Sequence, residues 1–208
     1  MSKGKLIVFE GLDGSGKGTQ IALLEKEMKK QGRTVFQTAE PTASSTGGMI
    51  RDALSGLVKR DAYELSALFL ADRIFHNANT KNGIRLYLEN GTDVICDRYY
   101  YSSFAYQGID ADLDWVMDMN LNCSEIIKPD LCIFLDADIE SCDERIEQNR
   151  MDREIYENKE TQRRIRKRFF EVFERLRNAE NIKIVDASRS IPEVSADIIK
   201  IYDSIKEN

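Results

Sequence analysis

What this 208-residue chain lacks narrows the field before any motif is read. No apolar run approaches the roughly 20 residues a membrane-spanning helix needs, and the opening "MSKGKLIVFE" reads as a short start and then a strand, not as a secretory signal. A cytoplasmic location is expected. A basic excess is missing too: 30 Lys and Arg stand against 36 Asp and Glu, mixed along the chain with a net charge of −6, which argues against nucleic-acid binding through a basic surface. The four cysteines, Cys96, Cys123, Cys132 and Cys142, contain no CxxC pair and fall in apolar strand or helix patterns. They read as reduced filler, not as zinc or disulfide positions. The lone histidine, His76, cannot supply the three or four ligands zinc takes from protein and reads as an ordinary helix residue. No Ser/His/Asp or Cys/His arrangement stands out. No linker-like stretch divides the chain, so one domain over 1–208 is expected.

What is present is an alternation. Five short β-branched runs, "KLIVFE", "RTVFQT", "TDVICD", "DLCIFLD" and "NIKIVDA", are each followed by a helical pattern, which implies a parallel sheet. The runs are almost wholly apolar, as expected of strands covered by helices on both faces. Right-handed crossovers then give a doubly wound α/β fold with five parallel strands and its ligands at their carboxyl ends.

Two other segments are read as structural. The final helix begins near Ile191, with Pro192 tolerated in its first turn, and directs Ile191, Val194, Ile198, Ile201 and Ile205 to the core. The run "RRIRKRFFEVFERLR" resembles a basic patch until Ile165, Phe169, Val172, Phe173 and Leu176 are placed on one helix face. Its arginines then share the other face with Glu171 and Glu174, a solvated surface. Before it, "EQNRMDREIYENKE" has no apolar periodicity and reads as a mobile flap, at about 149–160.

The chemistry starts at "GKLIVFEGLDGSGKGTQIALLEKEM". Gly11 and Gly16 enclose four residues, Lys17 follows, and the loop lies between an apolar strand and a helix that opens with Ile21, Leu24 and Met28. A bare GxxxxGK recurs by chance; strand, loop and helix in that order make it a phosphate loop. Gly11, Gly14 and Gly16 let backbone N–H groups of the loop, with those of Ser15, Gly18 and Thr19, turn toward a phosphate chain. The helix N-terminus adds partial positive charge, and Lys17 reaches the outer phosphates. The ligand expected is a nucleoside triphosphate. Gly18 stands where such loops usually carry a hydroxyl for Mg²⁺, so the metal is expected to be held largely through water and phosphate, with Thr19 acting indirectly. Asp97, ending the third strand, is placed to organise the metal's waters, and Arg98 beside it to grip a second phosphate.

These residues resemble thymidylate kinases. The resemblance runs along nearly the whole chain: "FEGLDGSGKGTQ", "EPT" at Glu40 to Thr42, "LFLADRIFH", "DRYYYSSFAYQG", "FLDADIESCDERI", "RMDREIYE" and "VDASRSIPEV". It implies a P-loop nucleoside monophosphate kinase fold, transfer of a phosphoryl group from ATP to dTMP with Mg²⁺, and a homodimer. Carried over residue by residue, it implies that Phe69 stacks on thymine, with a core role as the alternative, while Arg73 hydrogen-bonds O4. Arg98 would bind the dTMP phosphate and Asp13 the 3′-hydroxyl. Tyr106 would lie under the sugar, with Glu40, Ser103 and Gln107 completing the acceptor site. Ala187 and Arg189 would join the phosphate loop in binding ATP. Gly14 occupies the place where one type of thymidylate kinase carries a loop arginine, so the catalytic cations are expected from the flap, Arg150 and Arg153, as in the bacterial type. The segment "TAEPTASS" departs from the family by lacking the arginines around its EP motif; Arg51 is a possible substitute.

Three rival readings remain at this point. A deoxynucleoside kinase would need a carboxylate base, for which Glu40 is the candidate, although Asp97-Arg98-Tyr99 stands where such enzymes carry Glu-Arg-Ser. An adenylate kinase shares a loop similar to "GSGKGTQ" but not the ADR and DRY segments. A non-catalytic nucleotide-binding regulator would need no acceptor pocket.

Overall fold

Five strands form one all-parallel sheet in the computed structural model, which describes residues 3–149, 155–156 and 158–206. In chain order they are β1 (Leu6–Gly11), β2 (Val35–Ala39), β3 (Asp93–Asp97), β4 (Leu131–Asp136) and β5 (Ile182–Asp186), and they lie side by side as β2-β3-β1-β4-β5. β1 is central. Its Phe9 registers with Asp97 of β3 and with Ile133 of β4, while Gly11 pairs with Leu135, so the carboxyl ends of these three strands open on one edge. That edge is where an open α/β sheet presents its ligands.

β1, β3 and β4 are buried almost throughout. The outer strands depart from the expectation of full cover: β2 is only half-buried, and β5 exposes Lys183 and Ile184. Edge strands have one strand neighbour and meet solvent along the other side, which the apolar composition of these two runs did not reveal.

The helices are α1 (Lys17–Lys30), α2 (Ser45–Leu54), α3 (Ala62–Ala78), α4 (Ile84–Glu89), α5 (Tyr100–Tyr106), α6 (Leu113–Leu121), α7 (Ile139–Asn149), α8 (Lys159–Leu176) and α9 (Ile191–Lys206). α1 buries Ile21, Leu24 and Met28 as its spacing predicts. α8 buries Ile165, Phe169, Val172, Phe173 and Leu176, with Phe134 of β4 packed 4.8 Å from the ring of Phe169 and 5.0 Å from that of Phe173. Its outer arginines are ion-paired: Arg166 grips Asp136 with two bonds of 2.6 and 2.7 Å, and Arg175 meets Asp114 at 2.6 Å. α9 corrects its periodic reading. Val194, Ile198 and Ile205 are buried, but Ile191 is 55% exposed and Ile201 only half-buried, and buried Tyr202 takes the remaining inner position.

The cysteines are free, and Cys123 lies in the connection after α6, outside any strand or helix. His76 is more embedded than an ordinary helix residue: it is buried, with Nε2 2.6 Å from Thr38 Oγ1 and Nδ1 3.0 Å from Glu40 Oε1. Of the run read as a flap, residues 147–149 finish α7 and 159–160 begin α8, while Ile155 donates its backbone N–H to the Leu54 carbonyl at 3.1 Å. Arg150 and Arg153 lie outside the described residues.

Candidate active site

The phosphate loop follows β1 directly. Gly14 and Gly16 have φ of +78° and +96°, a left-handed conformation that favours glycine, and Gly16 caps α1. Lys17 is buried and donates from Nζ to the carbonyls of Gly11 and Leu12, both at 3.1 Å. Burial pulls its pKa down, with the Arg98 charge adding to that effect, while Asp97, Asp13 and Glu10 oppose it. Ser15 Oγ is buried and has no partner among the described residues.

Two glycines of the loop differ in what they permit. A Cβ on Gly14 would come within 2.9 Å of Cys142 Cα and closer still to the Cys142 carbonyl oxygen. Around Gly18 nothing lies within 4 Å of such an atom. The missing hydroxyl at position 18 is therefore not forced by packing, whereas position 14 is closed.

A cavity of about 220 Å³ beside the loop is lined by Ser15, Gly16, Thr19, Arg145, Ala187 and Arg189, among others. Of the residues expected to bind ATP, Ser15, Gly16, Thr19, Ala187 and Arg189 line this cavity, while Gly11, Gly14, Lys17 and Gly18 do not. Arg145, which sequence reasoning missed, reaches the loop from α7 and donates to the Gly14 carbonyl at 3.0 Å. Arg189 is tied to Asp197 at 2.8 Å.

A second cavity of about 220 Å³ lies between α3, α5 and the loop. Asp13, Glu40, Phe69, Arg73, Arg98, Tyr106 and Gln107, named from sequence, all line it. Ser103 does not line it; it stands behind, accepting from Arg73 Nη2 at 3.1 Å. Arg51 also lines this cavity and donates to the Thr42 carbonyl at 2.6 Å. Tyr156 closes part of the wall, its ring 5.4 Å from that of Tyr106; the flap motif contained it, but nothing in its spacing pointed inward. Gln107 Oε1 is buried without a partner among the described residues.

Arg98 joins the two halves. It is the non-glycine residue with a left-handed φ, +66°, among those described, a conformation that persists only when its surroundings fix it. Its Nη2 donates to Asp13 Oδ1 at 2.8 Å, its Nη1 to Ser102 Oγ at 3.0 Å, and its guanidinium lies 5.0 Å from the Tyr106 ring centroid. Burial works against its charge, but Asp13, Tyr106, Asp97 and Glu10 outweigh that and raise its pKa well above the ordinary value. Arg98 stays cationic.

Arg73 is buried at the cavity's far wall. It meets Glu40 Oε2 through Nε at 2.8 Å and Nη2 at 2.7 Å, and donates from Nη1 to Asn120 Oδ1 at 2.6 Å. Its neighbour Asp72 points the other way, accepting from the Thr42 N–H (2.7 Å), the Thr42 hydroxyl (2.6 Å) and the Ser44 hydroxyl (2.6 Å). The ADR segment therefore fixes both the EP loop and the pocket floor. Phe69 is 9% exposed: it packs with Ile50, Ala53 and Leu65 in a small cluster and also lines the cavity.

A thymidylate kinase family model matches residues 9–198. A probable thymidylate kinase of Methanocaldococcus jannaschii is 36% identical over 201 residues, covering 96% of each chain. A thymidylate kinase of Caldicellulosiruptor saccharolyticus is 36% identical over 207 residues, covering 98% of each. The solved structure of thymidylate kinase from Candida albicans superposes with a TM-score of 0.82 at 25% identity, over 99% of this chain and 94% of that one.

Proposed function

This chain belongs to the thymidylate kinase family and catalyses the ATP-dependent phosphorylation of dTMP to dTDP; we propose that ATP binds along the phosphate loop and dTMP fills the cavity between α3 and α5. The observation that carries this placement is the convergence of Asp13, Phe69, Arg73, Arg98 and Tyr106 on one cavity, with the charges of Asp13 and Arg98 close enough to Lys17 to act on it.

The acceptor is a phosphate monoester with a second pKa of about 6, already largely ionised at neutral pH. An oxygen of that phosphate attacks the γ-phosphorus of ATP, the bond to the β-phosphate oxygen breaks, and ADP leaves. No general base is needed. The chain's task is to bring two anions into line and offset their charge, so Lys17 exchanges loop carbonyls for donor phosphates while Arg98 holds the acceptor phosphate. Asp13, already against Arg98, takes the 3′-hydroxyl, and Tyr106 lies under the sugar. Phe69 stacks on the base. Arg73 has five N–H donors, of which three are hydrogen-bonded among the described residues, to Glu40, Asn120 and Ser103, and the second N–H of Nη1 is assigned to thymine O4.

Asp97 Oδ1 is buried at the end of β3 with no partner among the described residues, which fits a water of a hydrated cation. Bound Mg²⁺ would offset charge on the donor phosphates, and Asp97 would orient its waters. Arg150 and Arg153 are assigned to the transferring group by the family's flap pattern. The whole chain acts as one kinase domain in the cytoplasm; among the described residues no helix is long and apolar enough to cross a membrane. Exposed Tyr63, Phe75, Trp115 and Leu121 on α3 and α6 support a homodimer.

Glu40 counts against the deoxynucleoside kinase reading. Both of its oxygens are buried and engaged, one with Arg73 and one with His76, so it is poorly placed to take a proton from a sugar hydroxyl. Incubation with ATP and Mg²⁺ and either dTMP or thymidine tests this: dTDP should form from dTMP, with no dTMP formed from thymidine. Phosphorylation of thymidine at a comparable rate would reverse the assignment.

A further inference from the structure

Glu10 is the charged residue of an otherwise apolar central strand, and it is fully buried. Among the described residues, its side-chain hydrogen bonds all go to the start of α5. Oε1 accepts from the Tyr99 N–H at 2.8 Å and the Ser102 N–H at 3.1 Å, while Oε2 accepts from the Ser102 hydroxyl at 2.6 Å. Tyr99 caps α5 without a side-chain capping bond, its hydroxyl being turned to Asn77 and Ile127, so a carboxylate from β1 serves the orphan N–H groups of that helix. The line continues: Ser102 Oγ accepts from Arg98, and Arg98 donates to Asp13. Glu10 and Asp13 flank Gly11 and Leu12, whose carbonyls hold Lys17. The result is a closed ring, Glu10 to Ser102 to Arg98 to Asp13 and back along the chain, with the donor-side lysine fastened to its backbone arc.

We propose that Glu10, acting through Ser102, is a positioning residue for phosphoryl transfer: it sets Arg98, and with it the acceptor phosphate, at a fixed distance and angle from Lys17 and the donor phosphates. This rests on the assignment of Arg98 to the acceptor phosphate. The reasoning is geometric. Arginine is long and flexible, and the backbone at Arg98 is in a region that L-residues avoid, so its head group stays in place only if both of its partners do. Ser102 can accept from Arg98 because its own proton is given to Glu10. In-line transfer is sensitive to placement, with about 1 Å of error costing about a hundredfold in rate.

Glu10→Gln tests the ring while keeping its shape. An amide oxygen can still accept from the two backbone N–H groups, but the amide N–H then faces Ser102 Oγ and leaves the hydroxyl proton without its acceptor. Steady-state kinetics on Glu10→Gln and Ser102→Ala should each show kcat lower by about ten- to a hundredfold with the KM for ATP within about twofold of wild type. The double variant should be no slower than the slower single, since both cut one relay. Arg98→Ala is run beside them. If it leaves dTMP use unchanged, the assignment of Arg98 fails and takes the proposal with it. If Arg98→Ala is impaired while Glu10→Gln and Ser102→Ala turn over like wild type, the positioning role alone is overturned. Multiplicative losses in the double variant, or a matching rise in the KM for ATP, also overturn it. Should Glu10→Gln not fold, Ser102→Ala decides the matter, because it leaves both backbone bonds of Glu10 intact.

Discussion

Gly14 lies against the backbone of Cys142 so closely that a Cβ at position 14 would come within 2.9 Å of the Cys142 Cα. The first turns of α7 therefore shut the place where a loop arginine would stand, which agrees with the proposal that the cation over the transferring group comes from another element. Gly14→Ala should cost about 2–4 kcal/mol, from overpacking against backbone and a left-handed φ of +78°. Chemical denaturation of the purified variant measures this; a loss under about 1 kcal/mol would mean that α7 yields.

Gly18 is the contrasting case. It sits in the first turn of α1 with open space around its would-be Cβ and an ordinary φ. Gly18→Ser should raise stability by about 0.5 kcal/mol, because glycine is a poor helix former, and should retain or increase turnover by offering the metal a hydroxyl. A drop in both thermal midpoint and turnover would show that the glycine is required.

Lys17→Ala should lower turnover by about a hundredfold or more, the scale seen when a donor aimed at developing charge is removed. The loop's shape is set by glycine conformations and backbone bonds, so the thermal midpoint should move little. Parallel kinetics and melting curves check it; a large fall in melting temperature with proportionate activity loss would make Lys17 a structural lysine bound to Gly11 and Leu12.

How much of this was legible in the sequence depends on the range of the interaction. The five strands, the phosphate loop and the buried face of α8 were readable because each rests on local spacing: glycines between a strand and a helix, or Ile165, Phe169, Val172, Phe173 and Leu176 on one side of a helix. The acceptor pocket was readable only through resemblance, since Asp13, Phe69 and Arg98 meet across 85 residues of chain. Side-chain pairings were not readable at all. Asp72 on the EP loop, Asn120 under Arg73 and Glu10 on α5 each depend on a partner 28 to 92 residues away. A carboxylate inside "LIVFEG" was still a visible signal, because a buried charge needs partners. Helix ends misled for a different reason: Ile191 has the right spacing for the core but lies at the first turn, where its carbonyl accepts from Gln20 and its side chain is more than half exposed.

Glu10 links the site to stability. Burial pushes its pKa up from 4.5 to about 7, with Arg98, Ser102, Tyr99 and Lys17 opposing the rise. The folded state thus holds a proton that the unfolded chain has lost, and stability falls as pH rises from about 4.5 to about 7. At about 1.4 kcal/mol per unit, the penalty reaches about 3 kcal/mol above neutrality. Glu10→Gln should remove it, leaving a variant that matches wild type at pH 4 and is more stable at pH 8. Denaturation curves at the two pH values check this; a variant less stable than wild type at pH 8 would show that the carboxylate stabilises the fold.

Arg73 carries a cost of a different kind. Removing it leaves Glu40 as a buried charge beside His76, so Arg73→Ala should lose about 3–5 kcal/mol of stability. Assayed where it remains folded, the variant should lose dTMP use more than dCMP use, with kcat/KM for the two nucleotides as the measurement. Unchanged selectivity would remove Arg73 from base reading.

The central claim is that this cavity selects thymidylate through Arg73, which is to donate an N–H to an acceptor oxygen of the base, and kcat/KM of the wild-type enzyme for dTMP against dCMP, with ATP and Mg²⁺, tests it most directly. Cytosine offers an amino donor where thymine offers O4, and an unpaired buried donor costs about 1–3 kcal/mol. The account predicts a preference for dTMP of at least about tenfold, rising toward a hundredfold or more. Equal use of the two nucleotides, or a preference for dCMP, would contradict it.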